Sequence, residues 1–163
     1  MTVRNIIKSE KGFTLIELLV VIGILAILLA ITLIAINPAR QFGQANDTKR
    51  RSDVNAILNA VGQYEASNAG NLPGELATAS SSATEIDSTH FPNLCTAIMP
   101  TYISAIPVDP GVTTNTAPNG TGGITNCAIS PAWDTGYQIA KDSSNRITVS
   151  VANPYAGPIQ VTR

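Results

Sequence analysis

One acidic residue, Glu17, interrupts an otherwise apolar run near the start of the chain. It is the only charged residue between positions 13 and 36. An ionised carboxylate at the centre of a bilayer costs roughly 2.5–3.5 kcal/mol on insertion scales, so such groups usually face a partner. Glu17 therefore predicts a non-covalent ionic interaction in apolar surroundings, and the first question is what supplies the positive charge.

The remaining chemistry-bearing residues do not form a catalytic pattern. The single histidine, His90, lies in a Ser/Thr-rich segment without the spacing of a nucleophile triad, and glycine-rich phosphate loops and zinc-ligand spacings are missing from the sequence. Asp109, Asp134 and Asp142 lack the spacing of a calcium loop, so a calcium site there is the less favoured alternative. We expect no enzyme activity, no cofactor and no metal.

Two cysteines, Cys95 and Cys127, lie in the polar part of the chain. In a chain exported beyond the membrane, an even pair of cysteines favours a disulfide. Closing a loop of this length would stabilise the fold by roughly 3–4 kcal/mol in the chain-entropy model. The alternative is two unpaired small apolar side chains.

The apolar run that carries Glu17 is long enough to cross a membrane. As a helix, residues 13–36 would extend about 36 Å, against about 30 Å of hydrocarbon in a bilayer. Lipid offers no hydrogen-bond partners to a non-helical backbone. No small-x-small cleavage site follows the run, so the sequence predicts a helix that stays in the mature protein.

The stretch KGFTLIELLVVIGILAIL, residues 11–28, resembles the leader junction of type IV prepilins and pseudopilins. That family has a short basic leader ending in Gly, then Phe, Thr, Leu, an apolar residue and Glu before a long apolar helix, and every position matches. The resemblance implies that residues 1–12 are a leader. It also implies that a prepilin peptidase cleaves between Gly12 and Phe13 on the cytoplasmic side and N-methylates Phe13.

The resemblance also implies a partner for Glu17. In a filament of staggered subunits, the amino terminus at Phe13 of one subunit meets Glu17 of a neighbour, where screening is weak. The predicted function is a structural subunit of a type IV pilus-like filament that polymerises with itself. Membrane lipid, the prepilin peptidase, an assembly ATPase and a platform protein are the implied partners. No motif indicates nucleic-acid binding.

The resemblance places the protein in the inner membrane as a single-pass protein with an extracytoplasmic head, and in an extracellular filament after assembly. Two other functions stay open. One is a type II secretion pseudopilin, although the cysteine pair and the long polar loops favour a pilin. The other is a membrane-anchored adhesin or binding module that never polymerises, but such a protein would not need the Gly12-Phe13 junction or the acid that follows it.

The predicted fold class is α+β and pilin-like: a long N-terminal helix, with a transmembrane half and an amphipathic half, packs on a small antiparallel sheet. Asn37-Pro38 predicts a kink between the two halves. In residues 37–70, a stripe at helical spacing faces the core, and the neighbouring charges are interpreted as solvated surface. The stripe comprises Val54, Ile57, Leu58, Val61 and Tyr64, and the charges are Asp47, Lys49, Arg50, Arg51 and Asp53.

Residues 71–163 are predicted to form the globular head. Its polar stretches 74–85 and 111–123 predict surface loops. Alternation around residues 137–139 and 147–151 predicts a β-hairpin, and residues 157–163 predict a short edge strand. The packing residues expected in the head are Leu94, Ile98, Ile103, Ile106, Trp133 and Tyr137.

Overall fold

The structure, a computed structural model, describes residues 12–112, 123–128 and 133–163. The chain divides into two compact units, residues 1–41 and residues 42–163. We call the second unit the head; it includes residues 71–163, the head predicted from the sequence. Of the predicted leader, only Gly12 lies within the described residues. Most of the predicted loop 111–123 also lies outside them.

The first helix, α1, runs from Leu15 to Ile36, and every one of its residues is exposed. Among the described residues it is the one helix long and apolar enough to cross a membrane. Asn37 follows in the left-handed conformation, with φ 47°, which an asparagine tolerates better than most residues. The helical path is therefore interrupted at the predicted Asn-Pro pair.

The second helix, α2, runs from Pro38 to Ser67. The predicted stripe is confirmed, because Val54, Ile57, Leu58 and Val61 are buried and Tyr64 packs against the same core. Beyond the helix, Ala69 (φ 55°) and Gly70 (φ +84°) are both left-handed, and the Gly70 N–H donates to the Glu65 carbonyl at 2.9 Å. This left-handed turn ends the helix, with the 6→1 hydrogen bond that is common at helix C-termini.

Four antiparallel strands form one sheet in the order β1-β2-β3-β4. The strands are β1 (Thr84–Asp87), β2 (Asp134–Lys141), β3 (Ile147–Val151) and β4 (Gln160–Thr162). The predicted hairpin is β2–β3, with Ile139 opposite Val149, and the predicted edge strand is β4, with Val161 opposite Val149 on the other side. Buried and less buried residues alternate along β2 and β3, so one face of the sheet covers the core.

One hydrophobic core joins the buried face of α2, the sheet and the segments between them. Trp133 and Tyr137, two of its largest fully buried side chains, confirm their predicted packing role. The other predicted packing residues are also in place: Leu94 and Ile98 in the short helix α4 (Leu94–Ile98), Ile106 fully buried, and Ile103 partly buried. The α+β fold class is confirmed.

The prediction that residues 74–85 form only a surface loop is wrong. A short helix, α3 (Gly74–Ala77), buries Leu76 completely, and β1 begins at Thr84. Strand β1 forms because it pairs with β2, with Thr84 opposite Ile139. That pairing is a long-range contact, and the polar local sequence gave no indication of it.

Candidate functional site

The start of α1 is closed by a reciprocal hydrogen-bonded cap between Thr14 and Glu17. The Thr14 backbone N–H and its hydroxyl both donate to Glu17 Oε2 at 2.8 Å, and the Glu17 N–H donates to Thr14 Oγ1 at 3.3 Å. Such a capping box satisfies backbone donors that the first turn of a helix otherwise leaves free. The carboxylate also lies at the helix N-terminus, where the helix dipole favours negative charge.

This cap was not among the features predicted from the sequence, although its sequence signal is present. Thr14-Leu15-Ile16-Glu17 is the S/T-x-x-E pattern that precedes an apolar helix. Both Thr14 donors reach the same carboxylate oxygen, and Oε1 has no hydrogen-bond partner within residues 12–112, 123–128 and 133–163. Glu17 is thus held in one position by its own chain and keeps one oxygen for a further donor.

The predicted processing junction lies just before this cap. Gly12 and Phe13 precede α1 in non-helical backbone, both are exposed, and the Phe13 side chain retains 90% of its accessible surface. Thr14 is extended, with φ −80° and ψ 152°. An exposed, extended backbone is what a peptidase needs to bind a substrate, so the local geometry is compatible with cleavage between Gly12 and Phe13, which stays a prediction.

In the head, the interpretation of the charge run in α2 as solvated surface is wrong for two residues. Arg50 is 8% exposed, and Asp47 is 5% exposed. The Arg50 guanidinium donates through Nε and Nη2 to the two carboxylate oxygens of Asp109, at 2.8 and 2.9 Å, and through Nη1 to Asp47 Oδ1 at 2.9 Å. Bidentate pairing of this kind makes a buried ion pair tolerable.

Asp47 also receives two backbone hydrogen bonds from the C-terminal segment. Tyr155 N–H donates to Oδ1 at 3.0 Å, and Ala156 N–H donates to Oδ2 at 2.8 Å. Burial alone would raise the pKa of Asp47, but the bonds from Tyr155, Arg50 and Ala156 outweigh burial and lower it. The Asp47–Arg50–Asp109 network therefore joins α2 to two distant parts of the head.

A second polar contact joins α2 to the sheet. The Tyr137 hydroxyl donates to Asp53 Oδ2 at 2.7 Å, and Lys49 forms a salt bridge with the same carboxylate. Burial, followed by the neighbouring Asp53, raises the pKa of Tyr137. Asp53 is only partly solvated, whereas Lys49 and Arg51 lie on the surface as predicted.

The three aspartates considered for calcium do not converge. Asp109 is paired with Arg50, Asp134 accepts the Gly136 N–H at 2.8 Å, and Asp142 is bound to Arg146 at 2.8 Å. His90 lies on the surface against Asp87. Within the described part of the chain, no group of three potential metal ligands is found.

Cys95 and Cys127 form a disulfide, with 5.6 Å between their Cα atoms. Cys95 is fully buried in α4, and Cys127 packs partly buried against the core. The bond therefore fastens the segment around residue 127, which lies between two stretches outside the described residues, to the centre of the head.

Comparison with known proteins adds one finding. A protein-family model, the prokaryotic N-terminal methylation motif, matches residues 7–33. No curated protein and no solved structure matches the chain. The matched residues contain the Gly12-Phe13 junction, the Thr14–Glu17 cap and most of α1. The chain therefore carries the class III signal of type IV pilins and pseudopilins.

Proposed function

We propose that this protein is the structural subunit of a type IV pilus-like filament, held in the inner membrane before assembly and polymerised through α1. The observation that carries the proposal is that a processing motif and a fully exposed apolar helix occur together at the N-terminus. A methylation motif covers residues 7–33, and the helix within it exposes every one of its apolar side chains. Such a helix needs either lipid or other protein around it.

Helix α1 has features suited to both environments. In the stored subunit, its apolar surface is covered by hydrocarbon. In a filament, the same surface packs against neighbouring α1 helices, where small residues allow backbones to approach closely. Gly23, Ala26 and Ala30 follow one another at spacings of three and four, which places them on one face of the helix.

Glu17 is proposed to select the register between neighbouring subunits. Cleavage between Gly12 and Phe13 leaves Thr14 and Glu17 in the mature chain, so the cap that orients the carboxylate survives processing. The new amino group on Phe13 is a cation at the same end of the helix. An axially shifted neighbour presents that cation to the free Oε1, and the pair is weakly screened among apolar side chains. Hydrophobic packing between α1 helices alone would not specify such a register.

The partners follow from this route. A prepilin peptidase cleaves and N-methylates the chain, a platform protein and an assembly ATPase extract it, and the head lies on the extracytoplasmic side. The ATPase is needed because withdrawing an apolar helix from lipid requires work that folding of the head does not supply. Secretion pseudopilins use the same signal, so a pseudopilin is the alternative function.

The test combines mass spectrometry with a charge-only substitution. Native protein should begin at N-methylated Phe13, and the same species should occur in sheared extracellular filaments. Glu17→Gln keeps an oxygen for the Thr14 donors but removes the charge. The variant should be inserted and processed normally, but its filament yield should fall at least about tenfold, because the Phe13 amino group of the neighbouring subunit loses its charged partner. Glu65→Gln, an acid-to-amide change in the head, is the matched control.

Each result separates the candidate functions. A native chain that still begins at Met1, or a Glu17→Gln variant with normal filament yield, contradicts the proposal. Short filaments found only with protein export would assign the pseudopilin function. A processed N-terminus without filaments under any condition would assign the anchored binding module.

A further inference from the structure

Two exposed aromatic side chains stand out in the head. Outside residues 13–36, the exposed large apolar side chains of the described chain are Phe42, with 72% of its surface accessible, and Tyr155, with 55%. They are far apart in sequence, but both lie next to Gly43: Phe42 precedes it in the chain, and the Tyr155 ring packs on it. A Cβ added to Gly43 would lie 2.5 Å from Cγ of Tyr155, so the tyrosine ring lies against the α2 backbone at Gly43, the residue that follows Phe42 in the chain.

Tyr155 is fixed in this position by the buried network. Its own N–H and that of Ala156 donate to the two oxygens of Asp47, and Asp47 is paired with Arg50. The absence of a side chain at Gly43 provides the space in which the ring lies. The head therefore anchors the backbone at Tyr155 while its ring stays 55% exposed, and such a ring is suited to an apolar or amphipathic partner.

The chain length from α1 restricts where Phe42 can be. It follows Ile36 by six residues, about 9 Å at helical rise and at most about 21 Å if fully extended. The polar layer on each side of the hydrocarbon core is about 5–8 Å thick. With α1 across the bilayer, Phe42 starts in or just beyond the headgroup layer, where aromatic residues, tyrosine in particular, are enriched.

We propose that Phe42 and Tyr155 form a contact with the headgroup region of a phospholipid bilayer, which holds the head against the membrane while the subunit is stored. The contact rests on the proposed function, because it requires α1 to span the membrane. Phe42 supplies an apolar ring, and Tyr155 supplies a ring with a polar hydroxyl, a combination suited to an interface with one wet side. Extraction of the subunit breaks the contact and frees the head.

Tryptophan fluorescence in the full chain tests this contact. The processed chain is reconstituted in phosphatidylcholine vesicles that carry a nitroxide quencher on the headgroup. Tyr155→Trp and, independently, Phe42→Trp report on the proposed contact. Trp133 is 1% exposed, so the unmodified chain provides the background emission to subtract. Thermal unfolding confirms that each variant is folded.

Ser143→Trp is the matched control, since Ser143 is exposed in the β2–β3 turn. That turn lies by the far end of α2, where Asn145 and Glu65 line one surface cleft. Glu65 is about 33 Å along the helix from Gly43. A further variant, Leu28→Trp at the middle of α1, tests insertion itself with lipids brominated in their acyl chains.

The proposal predicts loss of emission for Tyr155→Trp and Phe42→Trp with headgroup quencher and none for Ser143→Trp. If Leu28→Trp is quenched but residues 42 and 155 behave like residue 143, the membrane contact is refuted while the proposed function stands. If Leu28→Trp is not quenched, the proposed function fails first. If quenching of Tyr155→Trp decreases as the protein density in the vesicles increases, the ring contacts a second copy of the chain rather than lipid, and the proposal is overturned.

Discussion

Replacing Arg50 with alanine is the sharpest test of how the head is held together. The guanidinium makes three hydrogen bonds to Asp109 and Asp47, each 2.8–2.9 Å long, and each aspartate is 5% exposed. Without Arg50, two carboxylates stay buried with only backbone donors among the described residues. Asp47 keeps the N–H groups of Tyr155 and Ala156, and Asp109 keeps that of Gly111 at 2.6 Å.

The expected loss follows from the charges left behind. Removing one partner of a buried ion pair typically costs about 3–5 kcal/mol, because the remaining charge is desolvated and uncompensated. For a unit of the size of residues 42–163, each kcal/mol lowers the melting temperature by about 3–5 °C. We therefore expect Arg50→Ala to lower the melting temperature of the head by about 10–25 °C.

The assay is thermal unfolding of the full chain in detergent, followed by circular dichroism, with the disulfide intact. Arg51→Ala is the matched control, since Arg51 is the exposed neighbour and forms no salt bridge within the described residues. Arg50→Lys keeps the charge but loses the two-pronged geometry, so its effect should be smaller. Adding Asp109→Asn to Arg50→Ala should restore part of the stability, because it removes one unpaired charge. Melting of Arg50→Ala within about 2 °C of Arg51→Ala would refute the reasoning.

Two further predictions concern the disulfide and one acidic residue of β1. Reduction of the Cys95–Cys127 bond, which spans 32 residues, should lower the unfolding free energy by about 3–4 kcal/mol, measured by denaturant titration with and without reductant. Glu85 is exposed, but partial burial of its carboxylate, and then the charges of Asp134 and Asp87, raise its pKa, so its ionised form weakens the fold slightly at neutral pH. Glu85→Gln should therefore raise the melting temperature at pH 7, and the gain should disappear below the ordinary glutamate pKa of 4.5. A gain that persists at pH 3 would exclude the electrostatic cause.

Local patterns in the sequence were sufficient for the elements whose periodicity is strong. The stripe in α2 and the alternation of β2 and β3 each repeat over several residues, so local sequence alone identifies the buried face. The short edge strand β4 also follows from its sequence. In these elements, either the pairing strand lies nearby in the sequence, or the apolar side chains all lie on one face, which must then be the buried one.

The buried ion network could not be predicted in the same way, because its members are far apart. Arg50 and Asp109 are separated by 59 residues, and Asp47 and Tyr155 by 108. A signal was nevertheless present: positions 47 and 50 continue the spacing of the stripe at 54, 57 and 61, so both charges lie on the core-facing side of α2. A charged residue on a buried face predicts a partner elsewhere in the chain.

The burial pattern shows that the stability of the head and the interactions of α1 depend on different residues. The hydrophobic core consists of residues from α2 to the C-terminus, whereas no residue of α1 is buried. The stability of the head is therefore determined by contacts within residues 42–163. Whether α1 lies in lipid or packs in a filament is determined by the lipid or protein around it. Glu17→Gln should leave the melting temperature of the head unchanged while filament yield falls. Arg50→Ala should leave processing at Phe13 unchanged while the head loses stability. If Glu17→Gln lowered the melting temperature of the head as Arg50→Ala does, its loss of filaments would reflect misfolding, and Glu17 would lose its proposed role in selecting register.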